Sequence, residues 1–243
     1  MSAKLSLYQA LKRSGLFESK QEIMNAVNQG RVSVDGKETK AIRFQLNPKK
    51  RVLTVDGQVV EYVPFVYYVL NKPMQYSCQK NDNFPFVVDI LEVDENTRNT
   101  LFPIGRLDIP TTGLLLITND GHLSKVLMDP KSKVEKTYKV LLKQKITQEQ
   151  IDILETGVEI RVFESRYVTK PAKVKKESDH VIYLTITEGK YRQVRKMCEE
   201  VGNRVMALER VRIGTLPLGR LQIGSYKKIS KVEIEKYFPQ AKR

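Results

Sequence analysis

The sequence contains no tryptophan, only two cysteines and only two histidines in 243 residues. Cys78 and Cys198 are far apart, so they suggest neither a disulfide framework nor a thiolate metal site. Reduced thiols packed as small apolar groups are expected instead. His122 and His180 are likewise isolated, and no metal is expected. No apolar run reaches the roughly 20 residues of a membrane-spanning helix, and residues 1–7 show no signal-peptide pattern. A cytoplasmic chain without a membrane partner is therefore expected. A Gly-rich loop ending in Lys-Ser or Lys-Thr is also missing, which argues against nucleotide hydrolysis. There is no internal repeat and no low-complexity tract.

The sequence does have basic charge. Lys and Arg number 42 against 28 Asp and Glu, a formal net charge of +14. Residues 1–62 contribute +5 and residues 63–243 contribute +9, so neither part alone carries the excess. A phosphate backbone fits such a surface. An anionic membrane fits less well, because no long basic amphipathic helix is present. The 41% hydrophobic content is enough for a packed core.

Leu5, Tyr8 and Leu11 recur near helical spacing, which predicts a helix over residues 4–14 that stops at Gly15. Ser19 to Glu22 reads as a capping box opening a second helix, with Ile23, Ala26 and Val27 as its buried stripe. Asp35-Gly36 and Asp56-Gly57 mark two hairpins. Residues 1–62 thus form a small unit, with the boundary in 58–64. Beyond it, strands are expected over 65–70, 114–117, 136–142, 158–162, 180–187 and 204–213, with a turn at Thr118-Asn119-Asp120-Gly121. Helices are expected over 147–155 and 191–201, and a basic, partly helical tail over 227–243. This alternation reads as an α+β sheet domain over residues 63–243.

One carboxylate stands out. In Gly105-Arg106-Leu107-Asp108-Ile109-Pro110-Thr111-Thr112-Gly113, Pro110 disfavours helix at Ile109 and Gly113 allows a tight return before a strand. Asp108 thus sits on a loop held by rigid sheet, a frequent place for function. Taken alone, it could equally cap a turn or pair with an arginine.

Further along come Lys136-Thr137-Tyr138 and Glu188-Gly189-Lys190-Tyr191-Arg192-Gln193-Val194-Arg195-Lys196-Met197. With Leu70-Asn71-Lys72-Pro73 and the run from Gly105 to Gly121, they resemble the motifs of pseudouridine synthases of the RsuA type. The resemblance spans nearly the whole chain. Residues 11–15, 19–22 and 30–37 resemble the alpha-L RNA-binding module, whose two helices present basic side chains to RNA. Here those would be Lys12, Arg13, Lys20 and Arg31.

The resemblance implies a mixed, mostly antiparallel catalytic sheet behind that module, and isomerisation of uridine to pseudouridine in ribosomal RNA. It implies Asp108 as the catalytic nucleophile, Tyr138 stacked on the target base and Arg195 paired with the aspartate. Arg106 would hold the flipped nucleotide's place in the RNA. Lys72, Lys190 and Arg192 would contact the RNA, with Arg192 where many relatives have histidine. Thr169-Lys170-Pro171-Ala172 leans toward the small-subunit branch. No cofactor is implied, because an isomerisation needs no external donor. The partner would be ribosomal RNA or a pre-ribosomal particle, and the enzyme a monomer. A large-subunit enzyme and a non-catalytic ribosome-assembly factor are the alternatives. Glycosidic hydrolysis would need a second carboxylate, for which Asp120 is the candidate.

Overall fold

The computed structural model describes residues 4–80 and 82–242. Residues 1–3, which open the stretch read for a leader, and Arg243, which ends the basic tail, lie outside the described residues. The chain divides into two compact units.

The first unit is Met1–Phe65 together with Leu91–Phe102. β1 (Leu5–Ser6) leads into α1 (Leu7–Ser14), so the helix begins later than its periodicity predicts. The reason is a cap. Ser6 accepts from the Gln9 backbone N–H, and the Gln9 side chain accepts from the Ser6 N–H. α2 (Lys20–Asn28) starts at Ser19 as expected. Its box is half formed, because the Glu22 carboxylate takes the Glu18 N–H rather than that of Ser19. β2 (Val32–Val34) pairs β3 (Lys37–Glu38), and β5 (Leu53–Val55) pairs β6 (Gln58–Val59). β4 (Gln45–Leu46) returns to β1. Leu7, Leu11, Ile23, Val27, Val32 and Leu53 share the core.

Residues 91–102 lie past the expected boundary, yet they pack within this unit through α3 (Glu95–Thr100). Asn99 Nδ2 donates to Gly15 O at 3.1 Å. A Cβ on Gly15 would meet Asn96 O at 2.0 Å, so only glycine admits this approach.

The second unit is Val66–Ile90 with Pro103–Arg243. It is a mixed, mostly antiparallel sheet with helices, an α+β fold. Its strands are β7 (Tyr67–Lys72), β8 (Phe102–Ile104, of which Phe102 counts with the first unit), β9 (Thr112–Thr118), β10 (Lys136–Leu142), β13 (Lys173–Lys176), β14 (Val181–Ile186), β15 (Val205–Ile213), β16 (Leu216–Pro217) and β17 (Tyr226–Ile229). The main path runs β13-β14-β10-β15-β9-β7-β17, with β16 on β15 and β8 on β9. β11 (Glu159–Val162) and β12 (Ser165–Val168) form a separate hairpin. Leu114, Leu115, Leu116 and Ile117 are all buried, as a central strand covered on both faces requires.

α4 (Gly121–Met128) replaces the turn expected at Asp120-Gly121. Asp120 accepts from His122 N and Leu123 N, which makes it a helix N-cap. α5 (Gln148–Thr156) and α6 (Gln193–Glu200) fall where helices are expected. The tail is more ordered than its charge suggests. α7 (Lys231–Tyr237) has its own Ser230–Glu233 capping box, and Phe238 behind it is fully buried.

β9 and β15 run parallel, with Gly113 opposite Arg210. At Gly113 φ is +108°, and a Cβ there would meet Arg210 O at 2.4 Å and Arg210 N at 2.5 Å. Gly113→Ala should therefore force the strands apart and destabilise the protein by about 1–3 kcal/mol, the usual range for overpacking. A urea midpoint equal to that of the parent would contradict this close approach.

Candidate active site

A cavity of about 520 Å3 opens in the second unit. Its wall is assembled from the 104–111 loop, β10, the turn before α6, and β15, with Ser77, Cys78 and Gln79 on one side. That volume suits a small organic ligand.

Asp108 and Tyr138 both line this cavity. The Asp108 carboxylate makes no hydrogen bond and no ion pair among the described residues, whereas its main chain is tightly held. Lys72 is 0% exposed. Its ammonium donates to Pro73 O at 2.9 Å, Asp108 O at 3.2 Å, Ile109 O at 3.4 Å and Thr111 O at 3.0 Å. Arg195 supplies the remaining contact, from Nη2 to Pro110 O at 3.3 Å. All four carbonyls from 108 to 111 thus face buried cations. Thr111 N closes the turn onto Asp108 O, and Gln75 N adds a donor to Ile109 O.

Two expectations change here. Lys72 cannot meet RNA, because its charge is spent inside the protein. Arg195 forms no direct ion pair with Asp108. It is 8% exposed, on the buried side of α6, and lies behind the cavity wall with Nη1 on Val205 O at 3.4 Å. Its Nε is buried without a partner. Burial, and then Arg192, pull the Arg195 pKa below its ordinary value, while the Asp108 charge opposes them. Burial likewise lowers the Lys72 pKa, against Cys78 and Asp108. Asp108, Tyr138 and Arg195 therefore meet in one region, with the arginine acting on the loop's backbone.

Arg106 is exposed at the cavity and donates to Gln79. Lys190 and Arg192 are exposed on the opposite rim. In the first unit, Lys12 and Lys20 are exposed, with Lys12 over the Phe102 ring at 5.5 Å. Arg31 is engaged by Asp56, with Nε–Oδ1 at 2.8 Å and Nη2–Oδ2 at 2.5 Å. Arg13 is half-buried against Phe65 and Tyr62, at 4.5 and 5.7 Å. Arg13 does not match the open basic surface expected of it, whereas Arg31 stays exposed within its ion pair. Asp120 lies outside the cavity wall and accepts from Tyr67 OH at 3.0 Å, so it offers no second carboxylate there.

Two wall residues escape the sequence reading. Lys136 lies two residues before Tyr138 on β10, a spacing that places both on one face. Its pKa falls to about 8 through burial, with Arg210 adding to the shift and Glu188 opposing it. Arg210 is the cross-strand partner of Tyr138 and is 2% exposed. Its Nε donates to Leu114 O at 2.8 Å, while Nη2 is buried without a partner. Nothing local in the sequence marks Arg210, because its place depends on strand register.

Residues 66–200 match the family model described as RNA pseudouridylate synthase. The chain belongs to this family. It is an RNA pseudouridine synthase, an isomerase. A Bacillus subtilis protein named uncharacterized RNA pseudouridine synthase YtzG is 42% identical to the synthase over 236 residues, covering 95% of this chain and 97% of the relative. The Escherichia coli ribosomal small subunit pseudouridine synthase A is 36% identical over 206 residues, covering 84% and 87%. A crystal structure of a pseudouridylate synthase superposes with a TM-score of 0.68 at 31% identity, covering 96% of this chain and 99% of that one. No helix among the described residues is long and apolar enough to cross a membrane.

Proposed function

We propose that the synthase acts in the cytoplasm, as a monomer, on one uridine of small-subunit ribosomal RNA, with Asp108 as nucleophile. The carrying observation is the 108–111 loop. Its carbonyls are fixed from behind by Lys72 and Arg195, and its one carboxylate stands without a partner on the cavity wall shared with Tyr138.

The chemistry follows from that placement. The bond from uracil N1 to ribose C1′ breaks, and C1′ rejoins the base at C5. C5 loses a proton and N1 gains one, so atoms balance without a donor or oxidant. A positioned, ionised carboxylate is a suitable nucleophile for such a step. The uridine must leave its stack to enter a cavity of this size. The Tyr138 ring then stacks on the extruded base. Arg106 fills the space left in the RNA, and Lys190 and Arg192 meet phosphates at the rim. The first unit serves as the alpha-L RNA-binding module, using Lys12 and Lys20. The name of the Escherichia coli relative and the Thr169 to Ala172 segment both favour the small subunit.

Site-resolved pseudouridine mapping of ribosomal RNA, from cells with and without the gene, tests the proposal. One small-subunit site should disappear. An unchanged map would overturn the proposal, and a lost large-subunit site would overturn the choice of subunit.

A further inference from the structure

Outside the reacting centre, the least explained feature of the second unit is a pair of exposed rings. Phe163 is 73% exposed at the tip of the β11–β12 hairpin, and Tyr191 is 45% exposed on the cavity rim. The rings are stacked, with centroids 5.2 Å apart and planes 20° apart. Neither is core, so their packing leaves most of the Phe163 ring in water.

The hairpin is tied down so that this ring stays in place. Tyr167 OH donates to Glu188 at 2.6 Å, a bond that raises the tyrosine pKa to about 12. The same carboxylate accepts from Lys170 N at 3.0 Å and from Gln193 Nε2 at 2.8 Å, which joins the hairpin to α6. Lys196 donates to Arg161 O, and Arg161 Nε donates to Phe163 O at 3.2 Å. Phe163 itself has φ of +55°, a conformation uncommon for a non-glycine residue. Around the rings stand cations. Lys196 lies 5.2 Å from the Tyr191 centroid, Lys190 lies 4.3 Å from that of Tyr167, and Arg192 is next in sequence to Tyr191.

The geometry points to a stacking platform for an unpaired RNA nucleotide next to the one in the cavity. Its placement rests on reading the cavity as the uridine site. An aromatic face beside basic side chains is the arrangement that holds single-stranded nucleic acid, because every base has a π-face and every linkage a phosphate. A base lying on the open face of Phe163 extends the existing stack outward from the cavity rim. A duplex keeps its bases paired and cannot use this surface.

The test measures binding of a labelled single-stranded oligouridylate, and of the same strand paired with oligoadenylate, to the full chain. Phe163→Leu keeps apolar bulk and removes the ring. It should weaken single-strand binding about 5- to 100-fold and leave duplex binding unchanged, as expected for the loss of one base–aromatic stack. Phe163→Tyr should restore the single-strand affinity. The dependence of affinity on salt should be unaltered by either change, because no phosphate contact is lost. Equal single-strand affinity for Phe163→Leu and the parent would overturn the platform, as would an equal loss on duplex, which would assign the ring to packing within the protein. Pseudouridine formation by the parent on ribosomal RNA is measured alongside. Its absence would remove the reading of the cavity and, with it, the placement beside a target uridine, while the single-strand result would still stand or fall by itself.

Discussion

Asp108→Asn should stop pseudouridine formation, lowering turnover on the order of a thousand- to a million-fold, the range seen when a nucleophile is removed. The amide has nearly the shape of the carboxylate but cannot serve as its nucleophile. The loop should survive the change, since Lys72 and Arg195 grip main-chain carbonyls and not the Asp108 side chain. RNA affinity should therefore persist. If it moves, it should tighten, because the substitution deletes a negative charge from a cavity that also holds Lys136 and Arg210. Mass spectrometry of digested RNA gives the first quantity, and filter binding gives the second. Turnover retained by the variant would remove Asp108 from the reaction.

Lys72→Met should give the second largest loss. Methionine fills much of the lysine stem's space, so little cavity is created. What disappears is the donor. Asp108 O keeps Thr111 N and Ile109 O keeps Gln75 N, whereas Pro73 O and Thr111 O lose the ammonium bonds at 2.9 and 3.0 Å. A buried acceptor left without a donor costs about 1–3 kcal/mol. Thr111 O is the buried one of the two, whereas Pro73 O is only partly buried, so the expected destabilisation is about 1–3 kcal/mol on that basis. Catalysis should suffer further, because a loop displaced by about 1 Å can lose two orders of magnitude in rate. Denaturant unfolding together with turnover at saturating RNA checks both effects. A variant as stable and active as the parent would show that the lysine's four contacts do not hold the loop.

Parts of this arrangement are legible in the sequence because their causes are local. Gly113 reads as a tight return, and the strand after it is a continuous apolar run. α2, α5 and both Asp-Gly hairpins follow from caps and turn residues within a few positions. The misreadings arise where distant partners decide. Lysine is normally a surface residue, and Lys72 is buried only because a loop about 36 positions later surrounds its ammonium. Arg13 is half-buried by the rings of Tyr62 and Phe65, about 50 positions on. Asp120-Gly121 has turn chemistry, but the same aspartate can cap a helix, and Leu123 and Leu127 at helical spacing carried that signal. Arg210 reaches the cavity through a register with β10 and β9 that no local pattern encodes.

The grip on the 108–111 loop also says where its shape is stored. Because the contacts are to backbone oxygens, the side chains of Ile109 and Pro110 take no part in them, and the instructions lie at positions 72 and 195. A graft of residues 105–113 onto a foreign scaffold would transfer the letters without the geometry, unless two interior cations travelled with it.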